Sequence, residues 1–479
     1  MPLARQPLWP VLAAAGLVGM APGQESTYSG SRLIRESEYR EKVRGMWLGQ
    51  CIANWTGLQT EGRHRQPPFL TDASWGQVQP YTNGFPLDFK WFFNPWGADD
   101  DTDIEYVYNH LMVQHDTTVL TPRQIVDGWT AHINRSIWVS NLKARNLMAR
   151  GVMPPATGMG CANVDRLEID AQLTTEFFGM FCPGAPGRGL ELADMPILVA
   201  SSGYASHAAQ FYAVLYALAT QVPTGLSGRD QAVWLTREAR RFIPDSSKSA
   251  DVIDVVLADF LANPDVNDWE RTRDLVDQRY RVNAAANGFV YRDWFESSVN
   301  LAGGVIALLY GQMDYRRTVQ IGTMSGWDSD NGTATMGGLL GLVHGFAHVQ
   351  AQFPGTVREN FWILRTRDNL PDYTGPGDTW EDTFPLLADR TMPLIRRGVE
   401  ESGGLVDAAG GVWLLPPVSP DPALAASPRW REDARSMNNA VRRAGSSKLI
   451  GMTLGVVGVV TRNLNRFHTG GHLPILIQN

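Results

Sequence analysis

Two stretches place carboxylates directly ahead of an apolar helix, and together they restrict the fold more than any other feature of the chain. The first, "GADDDTDIEY" (Gly97 to Tyr106), carries Asp99, Asp100, Asp101 and Asp103 within five positions. Ile104, Val107, Tyr108, Leu111 and Met112 follow at the i, i+3, i+4, i+7, i+8 spacing of one helical face. The acidic run therefore sits at the positive end of a helix dipole. The second, "SGWDSDNGTATMGGLLGLVHG" (Ser325 to Gly345), sets Asp328, Asp330 and Asn331 before a glycine-rich apolar segment that suits a tightly packed, buried helix. Buried carboxylates are costly unless paired, and hard divalent cations are satisfied by carboxylate and carbonyl oxygens. Two such helix starts facing each other would form a two-cation site, which requires distant parts of the chain to meet.

Competing explanations are solvated acidic loops, an EF-hand and an isoprenoid-synthase motif. An EF-hand fails on spacing, because Gly332 falls at the fifth loop position and Leu339 at the twelfth. Asp99, Asp100 and Asp103 match D-D-x-x-D letter for letter, but the segment from Asp328 to Asn331 does not resemble that family's second motif.

Helical patterns cover 37–60, 104–115, 122–149, 165–181, 205–220, 229–242, 250–262, 298–310, 333–350 and 381–399, and alternating strand patterns are scarce before residue 400. The expectation is an all-α domain over 37–402, with residues 403–479 a C-terminal extension that opens as a Pro-, Ala- and Ser-rich turn region over 403–435. Residues 448–460 are apolar but short for a membrane span and are expected to be a buried element or edge strands. At the N-terminus, Arg5, an apolar run from Leu8 to Met20 and small residues at Ala21 and Gly23 have the layout of a signal peptide over 1–23. A secreted or periplasmic protein with no membrane span after cleavage is expected. The net charge of −7 gives no reason to expect nucleic acid as a partner. Three scattered cysteines are too few for a disulfide scaffold, although Cys161 and Cys182 could pair in an oxidising compartment.

The motifs resemble those of the ADP-ribosylglycohydrolase family, including the dinitrogenase reductase-activating glycohydrolases. "GMWLGQCIANWTGLQTEG" (Gly45 to Gly62) is similar to the family's opening G-x-x-x-G-x-x-x-G-D-x-x-G-x-x-x-E: Gly45, Gly49, Gly57 and Glu61 match, and Ala53 and Asn54 stand in place of Gly-Asp. "DDDT" (Asp99 to Thr102) resembles the [ST]-D-D-T metal motif, with Asp99 at the hydroxyl position, and "GWDSDNGTATMGGLLG" resembles G-x-D-x-D-[TS]-x-A-x-x-x-G-x-x-x-G, with Asn331 at the Thr or Ser position. The resemblance implies an orthogonal helical bundle around a central cleft with two Mg²⁺ ions, Mn²⁺ being the alternative. Carried over by position, Asp99, Asp100, Asp101, Asp328, Asp330 and Asn331 would be metal ligands, Asn331 through its amide oxygen. Glu61 and Asp328 would handle protons, and Asp103 and His207 would touch substrate. The implied activity is hydrolysis of an N- or O-glycosidic bond at C1 of a ribose-like sugar in a small-molecule or protein-linked glycoside. The alternatives are a hydrolase of non-nucleotide glycosides and a non-catalytic member of the same fold. His344 and His348 at i, i+4 lack the glutamate of a metalloprotease motif and are expected to be core or rim residues.

Overall fold

The computed structural model describes residues 32–363, 370, 382–407, 409, 411–418, 458–459 and 477–478. The proposed signal peptide lies outside them, as does most of the C-terminal extension. Among the described residues the protein is mostly helical. In chain order the first elements are β1 (Arg32–Arg35), α1 (Glu36–Gly57), α2 (Asp100–Gln114), α3 (Pro122–His132) and α4 (Val139–Ala149). They are followed by α5 (Pro186–Ala200), α6 (Tyr204–Leu218), α7 (Gly228–Arg240), α8 (Lys248–Ala262), α9 (Trp269–Val276), α10 (Ser297–Gly311) and α11 (Tyr315–Met324). Then come α12 (Asn331–His344), α13 (Phe346–Ala351), β2 (Asn360–Phe361), β3 (Asp382–Thr383), α14 (Phe384–Glu401), β4 (Leu405–Asp407) and β5 (Val412–Leu415).

Local chemistry explains most of the helix starts. Thr121 and Gln124 form a capping box with Pro122 at the first turn of α3. Ser227, Ser247, Asp268 and Asp314 cap α7, α8, α9 and α11 through side-chain oxygens. The pattern expected over 122–149 is two helices, interrupted between His132 and Val139, and that over 333–350 breaks at Gly345, whose φ is +87°. The helix expected over 165–181 is instead two short 3₁₀ turns, Ile169–Ala171 and Glu176–Phe181. Here Asp170, Gln172 and Glu176 are all buried and bonded to other elements, so tertiary contacts override local propensity. The segment from Leu405 to Leu415, expected as turn, forms a hairpin: β5 pairs antiparallel with β4 and with β1, Leu33 opposite Leu414. Residues 458–459 pair in parallel with 477–478 as short strands.

The centre of the fold is the seam between α1 and α12. A Cβ on Gly45 would lie 2.5 Å from the Gly341 carbonyl oxygen, and one on Gly49 would lie 2.4 Å from that of Gly337. Only backbone fits there. The two helices therefore pack closer than side chains would permit, and every α12 residue from Asn331 to Leu342 is buried. The C-terminal turn of α1 lies against the residues that lead into α12, where a Cβ on Gly57 would sit 2.4 Å from Asp330 Cα.

Candidate metal centre

The seam brings the two acidic stretches together. After α1 the chain turns through Thr60, whose hydroxyl bonds to the Thr323 carbonyl and lies 2.8 Å from Ser329 Oγ. Gly62 N donates to Trp327 O at 2.9 Å and Trp327 N donates to His64 O at 3.0 Å. Glu61 is thereby pinned beside Asp328. Trp327 adopts φ of +55°, is fully buried and packs 5.0 Å from the Phe69 ring. The backbone N–H of Asp328 donates to Asn300 Oδ1 at 3.0 Å.

Two oxygen clusters result, and Asp99 belongs to both. Glu61, Asp99 and Asp330 each offer a carboxylate oxygen within 4.8 Å of the others, and so do Asp99, Asp100 and Asp101. Burial, reinforced by Asp99, Asp100 and Asp328, raises Asp101 well above the usual carboxylate range. Burial raises Asp330 likewise, with Asp101 and Glu61 adding to it. Glu61 is pushed up to about 8 by burial and then by Asp328 and Asp99, and Asp328 up to about 7 by burial. Carboxylates held this close without a cation bind protons instead.

The donor set suits a hard cation: both clusters are made of carboxylate oxygens, with no Cys or His in either. Asp330 Oδ1 and Asn54 Oδ1 are buried with no hydrogen-bond partner among the described residues. Unsatisfied buried oxygens beside repelling carboxylates are what a Mg²⁺ or Mn²⁺ ion would satisfy, so the residues fit the ion.

A family model described as ADP-ribosylglycohydrolase matches residues 35–380. The chain belongs to the ADP-ribosylglycohydrolase family. Membership supports glycosidic hydrolase activity and agrees with the mostly helical architecture. A solved structure described as an ADP-ribosylglycohydrolase-related protein complex is similar to 76% of this chain and 99% of its own, at 15% identity and a TM-score of 0.43. No curated protein matches.

Against the family pattern, Asn54 is the departure with the largest structural consequence. Its amide donates to Asp99 Oδ1 at 2.9 Å and lies 3.4 Å from both Asp101 Oδ2 and Asp330 Oδ2. A neutral donor thus stands among three carboxylates where an Asp would add a fourth charge. Asn331 acts as a brace: its Nδ2 donates to Asp101 Oδ1 at 3.2 Å, and its oxygen accepts from Gln172 Nε2 at 3.0 Å. Ser297 Oγ donates in turn to Gln172 Oε1 at 3.1 Å. The amide oxygen expected from sequence to face the metal is engaged by Gln172, and presenting it to the carboxylates requires both amides to turn.

Sequence reasoning missed Gln50 and Gln172. Gln50 Nε2 donates to the Asp101 carbonyl at 3.1 Å and to Glu105 Oε2 at 2.7 Å. The available signal was that Gln50 and Asn54 share one face of α1 at i, i+4, polar side chains in a buried stripe. Gln172 carries no such signal, since it acts from a 3₁₀ segment.

Asp103 is fully buried and accepts from Ala98 N at 3.4 Å, within the turn that starts α2. His207 is buried on α6 with Nδ1 2.7 Å from Ser247 Oγ, and burial lowers it to about 4. His344 and His348 stack at 4.4 Å; His344 Nε2 contacts Met313 O at 3.0 Å, and neither joins a metal cluster among the described residues. Cys161 and Cys182 are both free, one exposed and one buried, so the bridge considered from sequence does not form.

Proposed function

We propose that this protein is an exported, Mg²⁺-dependent hydrolase that cleaves an N- or O-glycosidic bond at C1 of a ribose-like sugar. The reading is carried by one observation: carboxylates from three separate segments converge on Asp99 in two overlapping clusters, each of its members within 4.8 Å of the others. Asp99, Asp100, Asp101, Asp328 and Asp330 would hold the ions. When bound, the ions supply a template for a sugar diol and Lewis-acid stabilisation of charge. Glu61 and Asp328 supply the proton chemistry. Without an ion, burial and the neighbouring carboxylates raise Glu61 to about 8 and burial raises Asp328 to about 7, so these two carboxyls can hold or take up a proton close to neutral pH. Glu61 stays beside Asp328 through the paired Gly62–Trp327 and Trp327–His64 backbone bonds. Hydrolysis then needs one carboxyl to protonate the atom leaving C1 and the other to take a proton from water.

The N-terminal signal layout supports export and widens the substrate class, because glycosides without a nucleotide are available outside the cell. The test is a panel of ADP-ribosyl-arginine, ADP-ribosyl-serine and the α- and β-furanosides of ribose and arabinose, assayed with Mg²⁺ and again with EDTA. Metal-dependent release of an ADP-ribosyl group identifies a nucleotide-linked substrate. Release from simple furanosides alone identifies environmental sugar breakdown. No turnover, together with no metal retained by elemental analysis, would replace the enzyme with a binding protein of the same fold. N-terminal sequencing of the protein from the secreted or periplasmic fraction checks cleavage near Gly23.

A further inference from the structure

One residue beyond Glu61 the sign of the charge reverses. Gly62 opens a cavity of about 700 Å³ whose wall carries Arg63, Arg65 and Arg281, with His64 and Tyr291, and no Asp or Glu lines it. This is an unusual concentration of positive charge in a chain of net charge −7.

The three guanidiniums are not equivalent. Arg281 pairs through both Nε and Nη2 with Asp277, which is buried, so its charge is neutralised and it contributes shape. Arg65 donates Nε to the Gly62 carbonyl at 2.8 Å and lies over the Trp294 ring at 4.9 Å. Its nearest carboxylate, Asp293, is 3.9 Å away, with both side chains about half exposed, a geometry that contributes little in water. Arg63 lies over the Tyr81 ring at 5.6 Å and forms no ion pair among the described residues. Tyr81 is held in turn by His64, whose Nε2 is 2.7 Å from the phenol oxygen. The loop is anchored by the same two Trp327 bonds that hold Glu61. Two guanidiniums thus rest on aromatic rings of a pinned loop without full carboxylate partners.

We propose that this cavity is an anion subsite, in which Arg63 and Arg65 seat a phosphate or carboxylate group carried by the substrate. Assigning the anion to a substrate rests on the hydrolase reading above; the anion site does not. Arg63 and Arg65 are also close enough to Glu61 to favour its charged form, which puts the two guanidiniums next to the proposed reaction site. A guanidinium pair there can hold an anionic group of the substrate by hydrogen bonds of the fork type and so orient it. Arg63 and Arg65 are then specificity-determining residues that sort charged from neutral glycosides.

The test is titration calorimetry of the full chain in EDTA, where the carboxylates cannot recruit an anion through a metal ion. Inorganic pyrophosphate and glucuronate serve as the phosphate and carboxylate probes. At least one should bind, more weakly as salt increases, and Arg63→Gln with Arg65→Gln should weaken it by about tenfold or more, the loss expected for charge-assisted hydrogen bonds. Arg123→Gln, at an exposed pair with Asp127 on α3, is the control and should leave binding unchanged. Pyrophosphate binding alone assigns a phosphate-bearing substrate, and glucuronate binding alone assigns a carboxylate-bearing one. Binding of neither probe, or equal binding by the double variant, overturns the proposal. If the glycoside panel shows no turnover while probe binding depends on Arg63 and Arg65, the hydrolase reading falls and the anion site stands.

Discussion

Replacing Gly57 with alanine puts one methyl group where the backbone of a proposed metal ligand passes. The new Cβ would lie 2.4 Å from Asp330 Cα, 2.8 Å from Asp330 Cβ and 2.9 Å from the Ser329 oxygen. Ordinary carbon contacts fall at about 3.5–4.0 Å, so the Ser329–Asp330 backbone must recede by roughly 1 Å. Overpacking of that kind costs about 1–3 kcal/mol. The functional cost should be larger in proportion, because metal ligation tolerates only about 0.2 Å in ligand distance. A misplacement of about 1 Å near the reacting groups costs on the order of 10²-fold in rate. The expected result is a folded variant with turnover reduced about 100-fold and a diminished Mg²⁺-induced rise in melting temperature. Differential scanning fluorimetry across a Mg²⁺ titration, run beside the turnover assay, reads both quantities. Gly225→Ala is the control: nothing lies within 4 Å of its Cβ and its φ is not left-handed, so stability should hold or rise by about 0.4–1 kcal/mol. Wild-type turnover and Mg²⁺ response in a folded Gly57→Ala protein would refute the placement of the site at this contact. A loss of stability with an intact metal response would leave the seam correct and the site wrong.

Asp330→Asn removes a carboxyl that burial and its neighbours force to hold a proton in the metal-free protein, so in EDTA at neutral pH the variant is spared that cost and should melt above wild type, while the Mg²⁺-dependent stabilisation and turnover disappear. Asn54→Asp should do the opposite: a further carboxylate among Asp99, Asp101 and Asp330 lowers the metal-free melting temperature and enlarges the Mg²⁺-induced rise, both visible in paired scans. The pH dependence follows from sign. Glu61 and Asp328 have folded values raised to about 8 and about 7, so their contribution to stability is present below the unfolded carboxylate range of about 4 and is lost as pH rises through 7 to 8. Melting temperatures in EDTA should therefore fall between pH 5 and 9, and saturating Mg²⁺ should flatten the fall; a flat profile in EDTA would contradict the buried carboxylate cluster.

Much of this site was legible in the residues. The i, i+3, i+4 pattern after Asp103 and the glycines after Asn331 specify two buried helices, and a carboxylate ahead of a buried helix has few affordable fates. That the glycines of 45–49 pack backbone to backbone on those of 337–341 was not read from sequence: the structure shows carbonyl oxygens 2.4–2.5 Å from the Cβ positions, where only a residue without Cβ fits. Other features depended on geometry that no local pattern encodes. Asn331 reads as an oxygen ligand in sequence, but the amide of Gln172, brought in by a 3₁₀ turn, engages that oxygen at 3.0 Å. Asn54 reads as a lost aspartate, yet its amide stands among three carboxylates contributed by two other segments. The strand formed by residues 412–415 exists because β1, at the other end of the domain, offers an edge to pair with. Sequence alone determined which residue types must be buried and where carboxylates precede a buried helix, because those are properties of single side chains and their spacing. Tertiary structure decided which glycines touch, which donor faces which oxygen and which arginines lack a close carboxylate among the described residues, because those depend on distances between segments that the chain order does not contain.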